Sequence, residues 1–176
     1  LIGFLTMAFQ QLSGINVLVF YLNSIFTSAG VDDATIASVG VMAVQVICTM
    51  LATAVIDQFG RKKLLFYSGL GLAVCQAVFV YCYWTKTSGI LVILAAVFFF
   101  ASYSVGQGGI PQLYVNEIIP NRLKSRGVPI CFVTQWGMSF VVTQSLASMV
   151  SIAGEAGAFG FYLVCTLLNM VFIMTF

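Results

Sequence analysis

Of the 176 residues, 61% are apolar and only 7% are charged, against about 25% charged in an ordinary soluble domain. So few charges cannot cover a water-soluble fold of this length, and the mean hydropathy of +1.06 points to lipid as the solvent of the outer surface. A net charge of +2 is too small to suggest a nucleic-acid partner, and the absence of any His excludes a Ser-His-Asp triad and a His-ligated metal site.

The charges divide the chain. Asp32 and Asp33 form one group, Asp57 with Arg61, Lys62 and Lys63 a second, Lys86 stands alone, Glu117 with Arg122, Lys124 and Arg126 forms the next, and Glu155 is the last. The intervening uncharged runs 1–31, 34–56, 64–85, 87–116, 127–154 and 156–176 each exceed the roughly 18 residues expected of a transmembrane helix. The sequence therefore predicts an all-α polytopic membrane bundle with six spans near 2–27, 35–57, 64–84, 90–117, 128–151 and 157–176. Connections this short make successive helices antiparallel neighbours. Six of the seven Lys/Arg residues fall in the connections 59–63 and 119–127, which the positive-inside rule places in the cytoplasm. A secretory signal peptide is not expected, because there are six such runs and no charged start. The chain opens at Leu1 without Met and stops within an apolar run, so a fragment of a longer protein is expected. The five cysteines all lie within spans and form no C-x-x-C pair, which suits packing.

The first span carries Ser13-Gly14-Ile15-Asn16 at its middle. The second, third and fourth carry Gln45, Gln76 and Gln107-Gln112, and the fifth Gln135-Trp136 and Gln144. The fourth also contains Gly106-Gln107-Gly108-Gly109-Ile110-Pro111. If the six helices form two triplets, the first and fourth lead them, and breaks at Gly14 and at Gly106, Gly108, Gly109 and Pro111 mark corresponding positions. Broken helices so placed point to a transporter's binding site; Gly and Pro are also simply commoner in membrane helices. Buried amides must be hydrogen-bonded. They serve either as glue between helices or as partners of a neutral polyhydroxylated ligand, whose hydroxyls both donate and accept and which gains little from a charge that is expensive at this depth. Gln11 and Asn16 would point about 140° apart on an ideal helix, so they share a cavity only if Gly14 distorts it.

Gln10-Gln11-Leu12-Ser13-Gly14-Ile15-Asn16, followed by Phe20-Tyr21, resembles the Q-Q-x-S-G-I-N…Y-Y motif in the seventh helix of sugar porters of the major facilitator superfamily. Asp57-Gln58-Phe59-Gly60-Arg61-Lys62 resembles their D/E-R-x-G-R-R loop, Gly106 to Pro111 with Glu117 and Pro120 their G-x-G-P-I-P-W…E-I-F-P helix, and Gln135-Trp136 their N-W pair. The motifs occur in the family's order across the whole chain. The resemblance implies the C-terminal six-helix half of a carrier that moves a hexose-like sugar by alternating access, facilitative or proton-coupled, with no cofactor and no enzymatic activity. A membrane sugar sensor on the same architecture is the alternative. It further implies that Gln10, Gln11, Asn16, Gln45, Gln112 and Gln135 bind the sugar with Trp136 as a wall, and that Phe20 and Tyr21 gate the extracellular side. Asp57, Arg61, Lys62, Glu117, Arg122, Lys124 and Arg126 would form a cytoplasmic ion-pair gate. The implied partners are the sugar, the lipid bilayer, expected to be that of the plasma membrane, and an N-terminal six-helix half. Gln112 stands where the family has Trp, and Gln107 and Gly109 where it has Pro; the Gly108-Gly109 pair is closer to plant and invertebrate sugar porters.

Overall fold

The computed structural model describes residues 2–85 and 89–175, without the side chains at 55 and 57–59. Every described element is helical: α1 (Ile2–Leu12), α2 (Ile15–Ser28), α3 (Ala34–Phe59), α4 (Arg61–Thr85), α5 (Gly89–Val105), α6 (Ile110–Ile118) and α7 (Lys124–Thr175). Helix is what an apolar run must adopt in lipid, because no water is present to satisfy backbone N–H and C=O groups. The stretches Ile2–Ser28, Ala34–Ala54, Arg61–Thr85, Gly89–Ile118 and Lys124–Thr175 are each long and apolar enough to cross a membrane.

α7 has 52 residues. As one straight rod it would measure about 78 Å, more than twice a hydrocarbon core of about 30 Å. It is not straight. Gly154 has φ 70° and ψ 177°, outside the helical region, and the two arms fold back on each other. Val142 and Leu146 of the first arm share a buried cluster with Ala158 and Tyr162 of the second, and the Tyr162 hydroxyl donates to the Val142 carbonyl at 3.4 Å. Residues 20 apart on a continuous helix would lie about 30 Å apart.

The main core joins α2, α3, α4, α5 and the second arm of α7 around Leu22, Phe26, Phe79, Phe99, Phe100 and Phe159. Phe159 stacks on Phe79 at 4.9 Å and lies parallel to Tyr83 at 5.7 Å. α4 packs on α5 and α7, α1 on α7, and α3 on α5. α3 is the outermost element: Ile36, Val39, Met50 and Leu51 are all well exposed. In water such a strip would be an aggregation liability; in an integral membrane protein it faces lipid.

Two interruptions set the interior. Between α1 and α2, Gly14 adopts φ 77°, a left-handed conformation that costs glycine nothing, and a Cβ there would sit 3.0 Å from the Tyr162 ring. Between α5 and α6, Gly106 lies so close to α4 that a Cβ would meet Ser68 Cβ at 2.5 Å and the Leu64 carbonyl at 2.7 Å. Backbone lies behind the second contact and cannot move aside. Gly106→Ala should therefore lower the detergent melting temperature by several degrees, the response to an overpacking cost of about 1–3 kcal/mol. Gly160→Ala, where nothing lies within 4 Å, is the control and should leave the melting temperature within about one degree.

Candidate functional site

Each interruption frees backbone groups, and each is closed by side chains from elsewhere. At the first, Ser13 N–H donates to the Phe9 carbonyl at 3.2 Å and Gly14 N–H to that of Gln11 at 3.1 Å. The Ser13 hydroxyl donates to the Gln10 carbonyl at 2.6 Å. The Ser13 carbonyl receives the Gln76 amide of α4 at 2.8 Å. At the second, the Tyr103 carbonyl accepts from Gly106 and Gly108 at 3.3 and 2.8 Å. Ser68 of α4 donates to the Ser102 carbonyl at 2.6 Å and accepts from Gln107 N–H at 3.1 Å. Pro111 occupies the first turn of α6, where its missing N–H goes unneeded.

The two interruptions are joined directly by Gln10. This side chain is 1% exposed. Its Nε2 donates to the Gln107 carbonyl at 2.7 Å and to the Tyr103 hydroxyl at 3.1 Å, with a longer approach of 3.4 Å to the Gly108 carbonyl. Its Oε1 accepts from Gln135 Nε2 of α7 at 3.1 Å. One turn further along α7, Ser139 accepts from Asn16 Nδ2 at 2.6 Å, and the same Asn16 amide donates to Gln11 Oε1. The distortion at Gly14 thus brings Gln11 and Asn16 together, which an ideal helix would not do. The result is one polar layer of Gln10, Gln11, Asn16, Tyr103, Gln135 and Ser139 with no charge in it.

The layer leaves hydrogen-bonding capacity open. Gln135 Oε1 is buried and without a partner. Among the described residues the Gln11 Nε2 hydrogens, Asn16 Oδ1 and the Tyr103 O–H hydrogen are likewise unengaged. Both donors and acceptors are therefore available, the complement of a hydroxylated ligand.

The other expected site residues lie apart from this layer. Gln45 on α3 and Gln112 on α6 are half-buried, and their side chains make no hydrogen bond among the described residues. Trp136 is 65% exposed and Phe20 64%. Tyr21 is half-buried and lines a groove of about 410 Å³ with Ser24, Leu146, Val150 and Glu155, between α2 and the bend of α7.

At the opposite, basic end, Arg61 at the start of α4 forms an ion pair with Glu117 at the end of α6, the two side chains being 37% and 52% exposed. Lys62 donates to the Met174 carbonyl at 3.3 Å, a cation at a helix C-terminus where the dipole favours it. Arg122, Lys124 and Arg126 are exposed and form no ion pair among the described residues. The Asp57 side chain lies outside the described residues.

The sequence reading gave no site role to Tyr103, Ser139, Ser68 or Gln76. A signal for Ser139 was present, four residues after Gln135 and thus on the same helix face. Ser68, Gln76 and Tyr103 act across contacts of 34 to 93 residues in sequence; Gln76 shows in the sequence as a buried amide without its partner, and no local pattern announces Ser68 or Tyr103.

Residues 1–176 match the family model for the sugar (and other) transporter. The chain belongs to this family. It is 34% identical to mouse solute carrier family 2, facilitated glucose transporter member 8, covering 99% of the chain and 42% of that protein. It is 32% identical to the facilitated trehalose transporter Tret1 of Anopheles gambiae, covering 97% of the chain and 22% of that protein. It therefore spans less than half the length of these relatives. Its fold superposes on a D-xylose–proton symporter with a TM-score of 0.90 at 26% identity, over 99% of this chain and 42% of that one. It also superposes on the major facilitator superfamily proton:xylose symporter XylE bound to 6-bromo-6-deoxy-D-glucose, at TM-score 0.89 and 26% identity, covering 99% and 38%.

Gln10 ties α1 to the second interruption and to α7, so its truncation strands the Gln107 carbonyl and the Gln135 amide. Gln10→Ala should destabilise the bundle by about 1–3 kcal/mol, read as a clear fall in melting temperature in detergent. Gln45→Ala, which removes no such bond, should change it little.

Proposed function

We propose that this chain is the C-terminal six-helix half of a carrier that moves a neutral, hexose-like sugar across the membrane by alternating access, either facilitatively or with proton coupling. The observation that carries the reading is the uncharged layer at the two helix interruptions, with donors and acceptors left open on Gln11, Asn16, Gln135 and Tyr103. A sugar hydroxyl needs both kinds of partner, and neither an anion nor a cation is served by this site. The names of the relatives, which handle glucose, trehalose and xylose, support the same class.

In this reading Gln10, Gln11, Asn16 and Gln135 form the sugar site. Gln45, Gln112 and the exposed Trp136 ring complete its walls when an N-terminal half supplies the facing surface. Phe20 and Tyr21 gate the extracellular mouth, where Tyr21 already borders a groove. The basic end is cytoplasmic by the positive-inside rule, and the plasma membrane is the site of action. The Arg61–Glu117 pair, with Asp57, Lys62, Arg122, Lys124 and Arg126 around it, closes the inner side when the site faces outward. The broken helices bend at Gly14 and between Gly106 and Pro111 as one half rocks on the other.

The test is sugar uptake by the full-length protein in proteoliposomes. Gln11→Ala and Asn16→Ala should each raise the half-saturation concentration about tenfold, the response to a lost hydrogen bond at a buried site, at normal protein level. Unchanged half-saturation in both would leave these amides as helix glue. Glu117→Gln should shift the population toward the inward-facing state by no more than the pair's differential energy in the two states. Labelling of a cysteine introduced as Asn121→Cys should then rise while uptake falls. Unaltered labelling with normal uptake would reduce the pair to a topological signal.

A further inference from the structure

We infer that the Tyr103 hydroxyl is a substrate-contacting group of this site, and that Gln10 is the positioning residue that aims it. The inference rests on the sugar-site reading above and assigns roles within it.

Gln10 has no donor left for a ligand. A primary amide has two N–H donors and a carbonyl oxygen with two lone pairs. The two donors go to the Gln107 carbonyl and the Tyr103 hydroxyl, and one lone pair of the carbonyl is taken by Gln135. A sugar oxygen could accept from Gln10 only by displacing a bond that holds the two interruptions together. The geometry instead passes the polar function one atom outward. Tyr103 Oη accepts from Gln10 at 3.1 Å, which orients its own hydrogen away from Gln10, and that hydrogen has no acceptor among the described residues.

The ring that carries it is fixed. The Tyr103 main-chain carbonyl receives both the Gly106 and Gly108 N–H groups. A Cβ on Gly108 would come within 3.4 Å of the ring's Cε1 and 3.3 Å of the Tyr103 carbonyl, so the glycine allows the backbone to lie against the ring. The residue is half-buried, and its bond to Gln10 lies at the edge of the buried region rather than within it. The hydroxyl is therefore anchored, on a residue that keeps part of its surface open. A phenol O–H held by an amide N–H is polarised as a donor, since bonds in such a chain strengthen one another. The chemistry it selects is an uncharged acceptor oxygen, such as the hydroxyl or ring oxygen of a sugar.

The experiment is Tyr103→Phe in the full-length transporter, which removes the hydroxyl and keeps the ring. Uptake of radiolabelled D-glucose, D-xylose and trehalose is measured first in the unmodified protein. Absence of saturable uptake for all three would sink the sugar-carrier reading itself, a separate result from those below. For the sugar that is carried, Tyr103→Phe should raise half-saturation by about five- to tenfold, within the range of one lost hydrogen bond. Its monodeoxy analogues are then tested as competitors against both proteins. One analogue, lacking the oxygen that Tyr103 contacts, should inhibit both proteins equally, while the others keep the five- to tenfold difference. Unchanged half-saturation in Tyr103→Phe would overturn the inference. So would a difference of the same size for every analogue, because Tyr103 would then act only by holding Gln10.

Discussion

The structure depends on closing the backbone hydrogen bonds that two broken helices leave open inside a membrane. An orphan carbonyl in hydrocarbon costs several kcal/mol, so a break is possible only where another group arrives to satisfy it. Here the groups are carboxamides and hydroxyls from distant helices. Gln76 reaches Ser13 from α4, Ser68 reaches Ser102 and Gln107 from the same helix, and Gln10 reaches Gln107 across the bundle. α4 thus serves both interruptions at once through residues eight apart, on one side of the helix. The close approach of Gly106 to α4 is part of the same requirement, since Ser68 is too short to span a wider gap.

That requirement also answers a question the amides pose. An intramembrane Gln can be structural glue or a ligand contact, and composition does not separate the two. The hydrogen-bond geometry separates, atom by atom, the functions spent on the protein from those left open. Gln76 Nε2 and both N–H groups of Gln10 are spent on the protein. Gln11 and Asn16 spend one function on each other and on Ser139 and keep the remainder open. Gln135 donates and leaves its carbonyl without a partner. Structural bonds and open hydrogen-bonding capacity are combined in one layer, and the fixed half of each amide holds its open half in place.

Much of the fold was legible in the sequence because its two strongest signals are local. Uncharged runs longer than a bilayer is thick and Gly or Pro within them are visible without any long-range information. They place the helices and the stretches around Gly14 and Gly106. The bend of α7 was legible from Glu155 alone, a charge between two apolar runs, although the helix continues on either side of Gly154 with little interruption. The site was legible in its amides and not in its partners. Ser68 and Tyr103 look like ordinary residues of apolar helices until the bundle closes, and Gln76 is a visible amide whose partner is not. The pairing of charges was also hidden: Arg122, Lys124 and Arg126 are nearest to Glu117 in sequence, yet it is Arg61, 56 residues earlier, that meets it. Nearness along the chain gave no guide, because the bundle brings the start of α4 beside the end of α6.

The position of that ion pair follows from the same energetics as the uncharged layer. A charge at mid-depth would carry a heavy desolvation cost, so the polar layer is built from amides and hydroxyls. At the basic end the side chains reach water, and a pair 37% and 52% exposed contributes roughly 0–1 kcal/mol. Such a weak bond adds little to the stability of the bundle and opens at little cost. A two-state equilibrium shifts only by the difference in interaction between its states, and about 1.4 kcal/mol is already tenfold. A strong buried pair at this point would lock one arrangement; a weak exposed one can be broken at little cost. The division of labour is therefore physical: permanent bonds where the helices are broken, and a breakable one where they end.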